Sequence, residues 1–223
     1  MLKDMTIKSR LISVIGLLSI LLIGVGSVGI YGMNQMSGAF KGVYDDRVLP
    51  LGDLGVVLDR VQRIRFNTVI ASYSEDPALA VERKSLNDHR SSEIATLWPK
   101  YMATKLTSEE AKLAEDFAQQ WKVLLESVDR SMGLAIAKDF KAAQLNLHAD
   151  LFAKFDAAHA TMFKLLDLQR VLGAAEYQAS HVAYESIRMT SMIMIALGVL
   201  LAAIAGFLLM RAIVNPLNEA ITV

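Results

Sequence analysis

Cysteine is absent from all 223 residues. Disulfides and thiolate metal sites are therefore excluded. Breakers are scarce: the chain has four prolines and thirteen glycines, and Gly16, Gly24, Gly26, Gly29, Gly32 and Gly38 fall in its opening stretch. The remainder is free to form long helices. Charge of one sign is also lacking. Lys plus Arg and Asp plus Glu number 23 each, so no positive surplus speaks for nucleic acid, and no basic tail or RNA-binding motif occurs. The histidines His89, His148, His159 and His181 show no i,i+4 pairing and no glutamate-bearing zinc motif. There is no phosphate loop, no G-x-S-x-G and no dinucleotide fingerprint. The pair Glu109–Glu110 opens a helix and does not read as an acid–base couple. The expectation is a protein without catalytic residues, metal or cofactor.

What is present is apolar. Hydrophobic residues make up 53% of the chain and the mean hydropathy is +0.36, which points to membrane segments. Residues 11–40 contain no charged side chain, and Leu11 to Met33 is long enough to cross about 30 Å of hydrocarbon. A cleaved signal peptide would have a shorter apolar region followed by a small-x-small site. A second uncharged run, Met189–Met210, lies between Arg188 and Arg211. Lys3, Lys8 and Arg10 precede the first span and Arg211 follows the second, so the positive-inside rule puts both termini in the cytoplasm. The predicted organisation is a cytoplasmic N-terminus (1–10), a first span (11–33), an outer domain (34–188), a second span (189–210) and the start of a further segment (211–223).

The outer domain reads as helix throughout, with no hairpin signal. Helix one is expected to continue from the first span to about Ser74. Asp76 before Pro77 is an N-cap followed by a first-turn proline, starting helix two, which runs to about Met102. Thr107 with Glu110 three residues on is a capping box for helix three, which runs to about Ala137. Asp139 is a weaker cap, and helix four runs from Phe140 into the second span. Short connections imply antiparallel neighbours. The fold class is therefore all-α: an up-down-up-down four-helix bundle whose helices one and four are continuous with the transmembrane helices. Core stripes are expected at Leu113, Phe117, Trp121, Leu124, Val128 and Ala135, and at Leu151, Phe152, Phe155, Ala158, Met162 and Leu166.

The stretch LDRVQRIRFNTVIASY (58–73) carries Arg60, Arg63 and Arg65 on a helix with an apolar face. At about 100° per residue, Arg65 falls inside the sector made by Val57, Val61, Ile64, Thr68 and Ala71, while Arg60, Arg63 and Asn67 form a stripe beside it. A buried guanidinium cannot shed its proton, so it needs an anion or strong acceptors, and its planar fork fits a carboxylate. Glu82, Glu93 or Asp150 could be such a partner within the chain. A small di- or tricarboxylate ligand is the other possibility. Gln144 and His148, polar groups on an apolar face of helix four, are further pocket candidates, as is Thr68. His159 reads as a core histidine and Arg130 as a surface charge.

GVYDDRVLPLGDL (42–54), MTIKSRL (5–11), LTSEEAKLAEDFAQQWKVL (106–124) and RAIVNPLNEAITV (211–223) resemble, in order and spacing, the sensor half of bacterial methyl-accepting chemotaxis proteins, ending at the start of a HAMP signal-transfer segment. The resemblance implies a homodimer in the inner membrane with a periplasmic sensor. It implies ligand binding near the membrane-distal end, at the seam between two copies of helix one. It also implies output through a chemotaxis kinase and coupling protein beyond residue 223. Similar bundles occur on histidine kinases and diguanylate cyclases, which is the alternative output. Arg60, Arg63, Arg65, Asn67, Thr68, Gln144 and His148 are the expected ligand-binding set.

Overall fold

The structure is a computed structural model, and it describes residues 6–211. Among these every regular element is helical: α1 (Ile7–Val43), a π turn (Tyr44–Val48), α2 (Leu49–Tyr73), α3 (Pro77–Met102), α4 (Ser108–Ile136), α5 (Phe140–Asn146), a second π turn (Leu147–Leu151) and α6 (Phe152–Leu209). The helix starts follow local chemistry. The Asp76 carboxylate accepts from the amides of Ala78 (2.9 Å) and Leu79 (3.3 Å). The Thr107 amide donates to Glu110 Oε2 at 2.6 Å, and the Glu110 amide donates back to Thr107 Oγ1 at 3.2 Å. Asp139 accepts from the Ala142 amide at 3.1 Å. Each cap is worth about 1 kcal/mol. The turns after α2 and α4 place Glu75 (φ 54°) and Lys138 (φ 68°) in the left-handed region. After α4 the Asp139 amide reaches the Leu134 carbonyl at 2.9 Å, the outer bond of a Schellman motif.

The described residues divide into two compact units: Lys41–Tyr177, and the described parts of Met1–Phe40 with Gln178–Val223. In the first unit α2, α3, α4 and α5–α6 pack as an antiparallel four-helix bundle. Leu54, Val57, Val61 and Ile64 of α2 meet Ile94 and Tyr101 of α3, Phe117, Leu124 and Val128 of α4, and Leu151, Phe155 and Met162 of the fourth helix. All are buried, and the expected stripes of the third and fourth helices lie within or against this core. Trp98 packs on Phe117 with ring centroids 4.7 Å apart. Burial of each such large side chain contributes about 1.5–3 kcal/mol.

In the second unit α1 and α6 approach closely at Gly32. A Cβ there would lie 2.6 Å from Ile187 Cγ2, so glycine is what allows the contact. The long helices contain windows of mean hydropathy 2.6 and 2.8 with no burial inside the structure, long and apolar enough to cross a membrane. Beyond Arg211 the expected HAMP-like segment lies outside the described residues, as do the first five.

Helix one runs on from the first span to Tyr73 and helix four from Phe140 into the second span, each unbroken through one π turn. A π turn adds one residue and rotates the following face, a change too small to disturb an apolar periodicity.

Candidate ligand-binding site

The three arginines of α2 have different surroundings. Arg60 Nε donates to Glu93 Oε2 of α3 at 2.6 Å, and its Nη1 pairs with Asp59. Arg63 Nε donates to the same Asp59 at 2.9 Å, while its side chain remains 58% exposed. Burial works against ionised Asp59, but the hydrogen bonds from Arg63 and Arg60 outweigh it and hold the carboxyl below its ordinary range. Arg65 faces helix four. Its guanidinium carbon sits 4.5 Å from the Phe155 ring centroid and 5.2 Å from that of Phe152. Neither Glu82, Glu93 nor Asp150 holds it: Glu93 holds Arg60, Asp150 holds Lys154 at 2.8 Å and Glu82 lies by Arg83.

The remaining expected residues separate in the same way. Asn67 and Thr68 are buried. The Asn67 amide donates to Asn87 Oδ1 at 2.9 Å, and Asn87 Nδ2 donates to Thr68 Oγ1 (3.2 Å) and the Ile64 carbonyl (3.3 Å). Thr68 Oγ1 donates to the Ile64 carbonyl at 2.7 Å. These two residues therefore join α2 to α3 inside the bundle, because a buried amide must be satisfied internally. Gln144 Nε2 donates to the Ser72 carbonyl at 3.1 Å. His148 is exposed, bonded through Nε2 to the Tyr73 hydroxyl at 2.9 Å and edge-on to Phe152 at 5.2 Å.

The seven residues thus form three groups: Arg60 and Arg63 toward α3, Asn67 and Thr68 inside, and Arg65, Gln144 and His148 toward helix four. The last group sits near the turns after α2 and α4, the bundle end opposite Lys41 and Tyr177. Tyr73, Phe152 and Phe155 complete it. His159 continues the aromatic row, stacked on Phe155 at 5.3 Å and tilted against Phe163 at 4.7 Å. This half-exposed cation with ring faces and a neighbouring imidazole is suited to a small anion: phenyl faces attract a guanidinium by about 0.5–2 kcal/mol but cannot neutralise it.

The family described as a four helix bundle sensory module for signal transduction matches residues 4–184. The chain belongs to this family of sensory modules. It is also similar to the methyl-accepting chemotaxis protein NahY of Pseudomonas putida, 24% identical over 217 residues, which is 97% of this chain and 40% of that protein. The chain thus spans about two-fifths of that relative's length. No solved structure matches.

The sensory module holds a second polar cluster that sequence reasoning passed over. At the bundle end where the chain enters and leaves, the first π turn carries Arg47 inward. Arg47 Nη1 donates to Glu110 Oε1 at 3.0 Å, and its Nε and Nη2 donate to Glu176 Oε1 at 3.0 and 2.9 Å. Glu110 is fully buried. Besides closing the capping box, it accepts from Gln169 Nε2 at 2.7 Å. The buried Tyr101 hydroxyl lies nearby. Burial pushes it up to about 12, against an opposing contribution from Gln169. Helix one, α4 and helix four of the module are thus joined by one ion network. Glu110 was legible as a cap. Its ion-pair partner, distant in sequence, was not.

Proposed function

We propose that this sensory module is the sensor half of a transmembrane chemoreceptor, homodimeric in the bacterial inner membrane with a periplasmic bundle, and that it detects a small organic acid, with di- or tricarboxylates favoured. The observation that carries the ligand reading is Arg65: a permanent cation, half-buried, seated on Phe155 and Phe152 with no carboxylate partner among the described residues. Arg65 is the principal anchor, with His148 and Gln144 beside it. Asn67 and Thr68 hold α2 in register beneath it. A second copy packing on exposed Phe66 and Tyr73, the latter bonded to His148, would bring two sets of these groups to one seam.

Ligand that prefers one packing of the seam would displace helix four relative to helix one, and only these two continue into the apolar spans. The displacement would then reach the segment after Arg211. The name of the chemotaxis relative supports output to a chemotaxis kinase over a covalently attached kinase or cyclase.

The test is isothermal titration of the detergent-solubilised chain with a panel of mono-, di- and tricarboxylates. At least one is expected to bind saturably, with affinity lost by tenfold or more in Arg65→Gln. No panel member losing affinity in that variant, or no binding across the panel, refutes the reading.

A further inference from the structure

A second site lies on another flank of α2. Between α2 and α3 a cavity of about 240 Å³ is lined by Arg60, Arg63, Leu86, His89, Arg90 and Glu93. Three guanidiniums and an imidazole converge there. Two carboxylates are within reach, and both are already engaged: Asp59 by Arg60 and Arg63, Glu93 by Arg60. Glu93 Oε1 also lies 3.8 Å from His89 Nε2. Arg90 has no carboxylate partner among the described residues, and its Nη1 is buried with no hydrogen-bond acceptor. Three arginines against two carboxylates leave one positive charge uncompensated at the wall of a cavity.

A guanidinium stays protonated under all ordinary conditions, so Arg90 cannot relieve an unmet buried N–H by losing charge. Water or a bound anion would supply the acceptor. We propose that this groove is an anion-binding site contained within one protomer, separate from the Arg65 site and standing whether or not that site binds organic acids. Arg90 supplies the inner donor. Arg63, bonded only to a neighbour on its own helix and largely exposed, is free to swing in as the outer donor. Glu93, whose charge is met by Arg60, completes the lining. The cavity is smaller than an ordinary small-molecule pocket, and forked donors on opposite walls suit a compact oxyanion of two charges. A phosphoryl group and a short dicarboxylate share that chemistry. Such an ion would bridge α2 to α3 and stabilise the folded bundle by mass action.

The experiment uses the full chain in detergent at constant ionic strength, titrated with inorganic phosphate and, in the Arg65→Gln variant so that the Arg65 site is silent, with malonate; chloride is the control. Calorimetry is expected to show saturable binding of at least one dianion, accompanied by a rise in melting temperature that chloride does not give. Phosphate alone would assign the site to phosphoryl groups, and malonate alone to carboxylates. Arg90→Gln and Arg63→Gln should each weaken binding tenfold or more, and Arg90→Lys, which keeps the charge without the fork, should weaken it by a smaller factor. Arg65→Gln should leave phosphate binding unchanged. Circular dichroism confirms that each variant is folded. Absence of saturable binding to both dianions, equal affinity in wild type and Arg90→Gln, or loss of phosphate binding in Arg65→Gln alone overturns the proposal.

Discussion

Replacing Arg47 by methionine removes one partner of a buried ion network while keeping most of the side-chain volume. Arg47 is 6% exposed and Glu110 fully buried. Without the guanidinium, Glu110 Oε1 retains only the Gln169 amide, and Oε2 the Thr107 amide. Two neutral donors then face a full negative charge with no counter-ion. Breaking a buried pair from one side costs about 3–5 kcal/mol. Glu176, whose side chain is 40% exposed, can turn to water and adds little. At about 2–4 °C per kcal/mol for a domain of this size, the melting temperature should fall by roughly 6–20 °C.

The second half of the prediction is sharper. Glu110→Gln in the Arg47→Met background removes the stranded charge. It also keeps the capping box, which accepts Gln at this position. Turning over the Gln169 amide, whose Nε2 now faces Glu110, would present its partnerless Oε1 to the new NH2 as an acceptor. The double variant should recover to within about 1.5 kcal/mol of wild type, a coupling of about 1.5 kcal/mol or more. Thermal melts of the full chain followed by far-UV circular dichroism, for wild type, both single variants and the double variant, close the cycle. An Arg47→Met chain as stable as wild type, or a double variant less stable than Arg47→Met, would refute the account of this network.

Two further predictions follow the same geometry. Tyr101 should ionise at about 12, because burial disfavours its phenolate. Its folded pKa is raised above the unfolded value of about 10, so stability is intact below about 10 and drains as pH rises through about 12, by roughly 2–3 kcal/mol. Ultraviolet difference titration of wild type against Tyr101→Phe reads this directly, and two identical absorbance curves through that pH would contradict it. Gly32→Ala should force Ile187 to move, since the added Cβ would sit 2.6 Å from Ile187 Cγ2, at a cost of about 1–3 kcal/mol. Ile187→Ala in the same chain should return most of the loss in thermal melts, and no rescue would mean that the close approach is not what Gly32 provides.

Features set by near neighbours could be read directly from the residues. Asp76, Thr107 with Glu110, and Asp139 act on backbone amides two to three positions away, so the helix starts follow from local spacing. The core stripes follow from periodicity, because water excludes Phe117 or Phe155 whatever partner each finds. The arginine cluster was legible as an oddity, a surplus of cations near an apolar sector. Its division was not. A helical projection gives each residue an angle but no neighbour, so it left open whether Glu93 belongs to Arg60 or Arg65 and whether Asn67 faces a ligand or Asn87.

From the chain alone came the helical fold, its boundaries, the apolar spans and the presence of cations on helix one, all consequences of interactions within a few residues or of the preference of side chains for water. Tertiary packing decided which cation is paid off by a carboxylate and which is left open, because those partners lie far apart along the chain: 33 positions for Arg60 and Glu93, 63 for Arg47 and Glu110, and 129 for Arg47 and Glu176. Electrostatic pairing acts across space over a few ångströms, and only the folded bundle brings such distant residues within that range.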